Sequence, residues 1–239
     1  MLTLPILGTA ESYRVRPSKI LALGLNYAEH VKESGSLGEK VFEAEIPNDP
    51  VVFSITANAI CGPGDAIVLP AIAETYGFAN VRTDFEGELA LVIGKGGKNI
   101  READALHHIF GFTCANDVSQ RNIQKSDQSG WFRGKSFDTF LPLGPVIVPR
   151  DALSDPHNLS LETRLNGERR QSTSTSDMIF PLPVIISYLS RNFTLEEGDV
   201  IITGTPSGVG PLAVGDVVEV EIEGIGTLRN PVAREEAEA

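Results

Sequence analysis

Apolar and polar positions alternate most cleanly near the C-terminus, where Val218, Val220 and Ile222 are separated by Glu219 and Glu221. A period of two marks a half-buried strand, and Gly215-Asp216 ahead of it supplies the turn. The same grammar, a Gly-Asp turn running into β-branched residues, recurs at 64–70 and 198–204. Further strands are predicted at 19–25, 51–55, 88–93, 109–116, 146–148 and 159–165. Asn166-Gly167 after the last of these predicts a hairpin into the polar run that follows. Helical periodicity is sparser, at 27–34, 103–108 and 183–191, the last opening on prolines that suit a first helical turn. The stretches 71–83 and 125–134 show neither period and read as long loops, which in compact domains are usually functional or mobile. The pattern predicts one β-rich α+β domain over 16–232, with an N-terminal leader at 1–15 and an acidic flexible tail at 233–239.

Composition narrows the function classes. Twenty-three glycines and 15 prolines in 239 residues explain the many short segments. Acids outnumber bases 32 to 20, a formal charge of −12. That surplus opposes binding to nucleic acid and to anionic membrane faces, both of which are driven by Lys and Arg. No apolar run approaches the roughly 20 residues of a membrane span. The N-terminus lacks a basic segment followed by an apolar one, so no secretory signal is expected. Cys61 and Cys114 make neither a disulfide framework nor a zinc spacing. A cytoplasmic, reducing setting is the expectation.

Candidate chemistry begins at Asp84-Phe-Glu86-Gly-Glu88. On one continuous strand Glu86 and Glu88 would share a face. Such a pair stays ionised only if it is exposed or neutralised by a cation. A hard divalent ion, Mg²⁺ or Ca²⁺ rather than zinc, suits oxygen ligands. A solvated strand end is the commoner reading of such a segment alone. Asp117, ending the strand at 109–116, is a third acid, although by itself it reads as a turn cap. His30 and Glu33 lie three apart, within hydrogen-bond reach on a helix, so a carboxylate can hold an imidazole that activates water. The plainer reading is an exposed histidine beside an incidental acid. Lys135 suits carboxylate binding or enolate stabilisation, or is a surface lysine. Trp131, the one tryptophan, is a loop anchor or a pocket wall. The turn at 204–210 matches no nucleotide motif, but its N–H groups and Thr205 can meet a small anion.

These pieces occur in a familiar order. The runs GLNYAEHVKE, DFEGELALVIGK, GFTCANDVSQRNIQ, GKSFDTFLPLGP, LNGERRQSTSTSDMIF, LEEGDVIITGTPSGVGPL and GDVVEVEIEGIG together resemble the fumarylacetoacetate hydrolase family over roughly residues 19–232. The resemblance implies a mixed β-roll with short flanking helices, commonly a homodimer. It implies Glu86, Glu88 and Asp117 as ligands of a divalent metal, usually Mg²⁺, with Mn²⁺ or Ca²⁺ as substitutes. It implies His30 and Glu33 as a water-activating dyad on a segment that orders over substrate, and Lys135 as the active-site lysine. Arg121, Gln124 and Thr205 look like substrate contacts. Two positions depart from the family pattern. A lysine common in an F-x-K-P run is replaced by Ile55, and R-D becomes Arg121-Asn122.

The leading expectation is a metal-dependent hydrolase cleaving a C–C bond in acylpyruvate-type 2-oxo acids through a stabilised enolate. The alternative is an isomerase or decarboxylase of 2-oxo or 2-hydroxydienedioic acids, or an oxaloacetate decarboxylase or tautomerase. A non-catalytic metal-dependent binding protein is disfavoured, because such a protein has no need of His30, Glu33 and Lys135 together.

Overall fold

The computed structural model describes residues 2–36, 46–127 and 131–236. At its centre is a seven-stranded mixed sheet in the order Val51–Ile55, Ile20–Gly24, Val200–Ile202, Gly87–Ile93, Ile109–Asn116, Leu141–Pro149 and Ile60–Cys61. A five-stranded sheet lies against it, in the order Glu168–Ser174, Ser160–Leu165, Val217–Ile222, Gly226–Arg234 and Ile67–Leu69. A small third sheet places Thr83–Phe85 between Ser119–Gln120 and Gly210–Pro211. This strand-rich α+β architecture is the class the alternating pattern predicts.

The strand Gly87–Ile93 is buried along its whole length. Leu89, Leu91 and Ile93 enter one hydrophobic core while Ala90 and Val92 enter the other. A strand covered on both faces reads as a continuous apolar run rather than an alternating one. The first core is closed by the helix Leu182–Asn192, whose Leu182, Ile185, Ile186 and Leu189 form one apolar stripe. Pro181 precedes this helix and Pro183 lies in its first turn, where a missing N–H is harmless. In Val217–Ile222 the three apolar side chains at even positions are buried. The Asn166-Gly167 hairpin forms with both residues at positive φ, 53° and 80°, the twist that two-residue hairpins require.

Four expectations need correction. The acidic run is not one strand: Thr83–Phe85 and Gly87–Ile93 are separate, and the chain changes sheets at Glu86. The short strand expected at 146–148 is nine residues, Leu141–Pro149, with a register shift between Gly144 and Val148, where Pro145 lies. The loop expected at 71–83 contains a helical turn, Ile72–Thr75, and ends in a strand. The loop expected at 125–134 is flanked by two short helices, Arg121–Ser126 and Phe132–Lys135; its residues 128–130 lie outside the described residues. Among the described residues the other α-helices are Ala28–Ser36 and Glu102–Ala105, the latter continuing into a 3₁₀ turn.

Residues Thr3–Pro5 and Ser12–Arg14 form an antiparallel hairpin. Leu4 is buried in the second core, and the Leu7 N–H donates to Ile147 O. At the other end of the chain, Glu235 is hydrogen-bonded to Leu69 O through its N–H, and residues 237–239 lie outside the described residues. Among the described residues no helix is long and apolar enough to cross a membrane.

Candidate active site

The site forms where Gly87–Ile93 and Ile109–Asn116 both end. Their antiparallel register sets Gly87 opposite Asn116, so Glu86 and Asp117 leave the sheet side by side. The Asp117 N–H donates to Glu86 O at 2.8 Å, and Asn116 Oδ1 accepts the Glu86 N–H at 2.8 Å. Glu88 points from the strand toward the turn after Val200–Ile202, where its Oε2 accepts the Gly204 N–H at 2.7 Å. One ligand oxygen from each of Glu86, Glu88 and Asp117 lies within 4.8 Å of the others, and all three residues are buried. The two glutamates therefore converge despite the break between strands.

Two cations partly balance this charge. Lys135, only 2% exposed, donates to Asp117 Oδ2 at 2.6 Å and to Glu86 Oε2 at 2.8 Å. Arg121 bridges Glu86 Oε1 and Asp84 Oδ2, and its remaining nitrogen donates to Gln124 Oε1 at 3.0 Å. Asp84 is itself clamped by Arg82. Four carboxylates thus face three fixed cations.

The imbalance falls unevenly. Burial opposes ionisation of Glu86, but Arg121 and Lys135 outweigh it and hold its carboxyl at about 2. Burial lifts Asp117 to about 6 against the pull of Lys135. Glu88 is pushed well above the usual carboxylate range by burial and by the neighbouring Asp117 and Glu86 charges. Burial opposes the Lys135 charge, yet Asp117 and Glu86 raise its pKa overall.

The donor set is all hard oxygen, and among the described residues Asp117 Oδ1 is buried with no hydrogen-bond partner. An unsatisfied buried carboxylate oxygen in a net negative pocket fits a divalent cation.

Beside these carboxylates lies a small open cavity. His30, Ser34, Arg121, Gln124 and Thr205 line it with polar groups, and Leu23, Gly24, Leu25, Phe53 and Trp131 make the apolar part. The nine site residues that the resemblance implies lie in or beside this one cavity. His30 Nδ1 is 3.1 Å from Glu33 Oε2, and a carboxylate partner there assigns Nδ1 as the donor and leaves Nε2 basic. Glu33 is held in turn by the Gly208 N–H at 3.1 and 3.2 Å from its two oxygens. This contact ties the helix Ala28–Ser36 to the turn carrying Thr205.

Thr205 is placed differently from a side-chain ligand. Its hydroxyl donates to Gly87 O at 2.9 Å and accepts from Gln171 Nε2 at 2.8 Å. The side chain locks the turn onto the strand, and among the described residues the Thr205 N–H makes no hydrogen bond with the protein. An anion here would meet backbone N–H, as in other backbone anion sites.

The two departures from the family pattern lie outside the cavity wall. Ile55 is buried in the second core. Asn122 fastens the 71–83 stretch, accepting the Arg82 N–H and donating to Asn80 O, both at 2.8 Å.

Asp84, part of the acidic run, is a site residue to which the sequence pattern attaches no role. The available signal was Arg82, two residues earlier, whose guanidinium pairs with the Asp84 carboxylate. Asn116 and Gln171, which hold the backbone under Glu86 and Gly87, carry no sequence signal of their own.

The family model described as "Fumarylacetoacetate (FAA) hydrolase C-terminal" matches residues 19–233. An oxaloacetate tautomerase of Bacillus subtilis is 44% identical over 225 residues, which cover 91% of this chain and 70% of the relative. The structure of 5-carboxymethyl-2-hydroxymuconate delta-isomerase from Mycobacterium smegmatis superposes with a TM-score of 0.80 at 40% identity, covering 96% of this chain and 87% of that one. Fumarylpyruvate hydrolase from Pseudomonas aeruginosa, in complex with Mn²⁺ and pyruvate, gives a TM-score of 0.83 at 30% identity over 98% and 96% of the two chains.

Proposed function

The chain belongs to the fumarylacetoacetate hydrolase family, enzymes acting on ketonic acids, and on that premise we propose that it is a divalent-metal-dependent tautomerase of a short 2-oxo dicarboxylic acid, oxaloacetate being the simplest. The observation that carries the reading is the meeting of the carboxylate triad with the His30–Glu33 pair across one small cavity. It is supported by relatives at 40% identity or more named for tautomerisation and isomerisation.

The roles follow from position. Glu86, Glu88 and Asp117 would hold the ion, which we read as Mg²⁺, with Mn²⁺ or Ca²⁺ as substitutes. Such a cation supplies Lewis acidity to the 2-oxo group, making the C3 protons acidic. His30 Nε2 takes a C3 proton, and Glu33 orients the ring and stabilises the imidazolium that results. Return of that proton to the carbonyl oxygen yields the enol, and the reverse path restores the ketone. Lys135 places positive charge beside Glu86 and Asp117 as the enolate develops. Thr205 offers its N–H to the substrate carboxylate, while Arg121 and Gln124 fix the adjoining wall. We read the working form as a homodimer.

Hydrolysis of an acylpyruvate is the second reading. The His30–Glu33 pair can equally deprotonate water, and the fumarylpyruvate hydrolase likeness extends over almost the whole chain. One experiment separates the two: oxaloacetate and acetylpyruvate are incubated with the Mg²⁺-loaded enzyme and followed by NMR. Faster keto–enol exchange of oxaloacetate with acetylpyruvate left intact supports tautomerisation. Pyruvate and acetate released from acetylpyruvate, with oxaloacetate exchange unchanged, would replace it with hydrolysis.

A further inference from the structure

The apolar end of the cavity is built around Trp131. A Cβ placed on Gly24 would lie 2.2 Å from Trp131 Cζ3 and 2.8 Å from Cη2. The indole therefore rests directly on bare backbone at the end of the strand Ile20–Gly24, in space that any larger residue would occupy. Phe53, on the neighbouring strand, meets it edge-on with ring centroids 5.3 Å apart and an interplanar angle of 77°. The same Phe53 ring lies 5.0 Å from Lys135 Nζ. Phe53 thus meets both the Lys135 ammonium and the indole, and Phe53 and Trp131 both line the cavity.

We propose that Trp131, seated on Gly24 and braced by Phe53, is the specificity-determining wall that limits how long a 2-oxo acid the site accepts. The inference deepens the functional reading above and rests on it for the class of ligand. Three observations point the same way. The cavity is tight, about 20 Å³, close to what a single water needs. Two aromatic rings, Phe53 and Trp131, join Leu23 and Leu25 in its apolar lining. Gly24 removes the one side chain that would keep the indole out. A loop anchor alone would have no need to line the cavity.

The chain's single tryptophan makes the wall directly observable. The test is a ladder of unbranched 2-oxo acids, from pyruvate to 2-oxooctanoate, titrated into the Mg²⁺-loaded protein. Trp131 fluorescence reads binding in the wild type, and calorimetry reads it in the wild type, Trp131→Ala and Trp131→Phe. Binding is independent of which reaction follows, so the ladder stands or falls separately from tautomerase turnover.

In the wild type, pyruvate should change Trp131 emission, and affinity should fall beyond about six carbons. Trp131→Ala should favour 2-oxooctanoate over pyruvate by roughly tenfold or more relative to the wild type, since a methylene or two in an apolar pocket is worth about that factor. Trp131→Phe should fall between. Gly24→Ala, which displaces the indole, should shift the emission of the free protein and weaken even pyruvate.

Equal loss of affinity along the whole ladder in Trp131→Ala would overturn the proposal, leaving the indole a structural anchor. So would an unchanged length preference in a folded Trp131→Phe whose ring no longer fills the same space. Failure of every 2-oxo acid to bind the wild type would remove both this inference and the ligand class on which it rests.

Discussion

Lys135 Nζ donates to Asp117 Oδ2 over 2.6 Å, with both residues buried. The same ammonium reaches Glu86, so one fixed positive charge serves two of the three clustered carboxylates. Among the described residues Glu88 has no such partner: it accepts a backbone N–H from Gly204 and faces two other acids. The site therefore stores repulsion at Glu88 that a cation would relieve.

Glu88→Gln tests that repulsion through opposite signs. The neutral amide removes a buried charge conflict, so the metal-free variant should melt above the metal-free wild type, by a few degrees per kcal/mol relieved at this chain length. The upward shift that MgCl₂ produces in the wild type should be largely lost. Thermal unfolding with and without the ion measures both. A variant that is less stable without metal, yet still stabilised by it, would remove Glu88 from the ligand set.

His30→Asn should leave Mg²⁺ affinity unchanged and reduce kcat by about 10²–10⁴, the span of a positioned acid–base group. Glu33→Gln should act in the same direction and less severely, because the imidazole stays but loses its charged partner. Calorimetry with Mg²⁺ beside steady-state kinetics separates this from a structural effect, which would weaken both.

Arg121→Met leaves Asp84 with Arg82 alone and Glu86 with Lys135 alone. Removing one member of a buried ion network typically destabilises by about 3–5 kcal/mol. Urea unfolding of the metal-free protein should show a loss in that range. Arg121→Lys should recover only part of it, since a lysine cannot make both contacts in the geometry of the guanidinium.

Gly208→Ala addresses the link between the dyad and the Thr205 turn. Gly208 has φ +98°, and a Cβ there would lie 2.1 Å from Arg170 O. The turn must move, withdrawing the N–H from Glu33. The expected outcome is a kcat loss resembling that of Glu33→Gln, with the metal-induced melting shift retained.

Much of the framework was legible because its signals are local. The alternation at Val218, Val220 and Ile222, the Asn166-Gly167 turn and the three-residue step from His30 to Glu33 each need only a short window of sequence. The break at Glu86 was not legible, because a continuous strand and a change of sheets show the same alternation over Asp84, Phe85 and Glu86. Arg121–Ser126 and Phe132–Lys135 are too short to display a helical period. The first is set by a Gln120 side-chain cap, and Gly134 of the second packs against the backbone of Gln120 and Gln124. The role of Asp84 depends on Arg121, 37 positions away. The choice between proton transfer and C–C cleavage is illegible for a different reason: one set of residues serves both.

The most direct test of metal-dependent enolisation at this site is the exchange of the oxaloacetate C3 protons with D₂O, followed by ¹H NMR. The Mg²⁺-loaded enzyme should accelerate exchange well above the rate with Mg²⁺ alone, and the acceleration should vanish with EDTA, with Glu88→Gln and with His30→Asn. Exchange no faster than with Mg²⁺ alone, or equally fast after the metal is removed, would contradict the account.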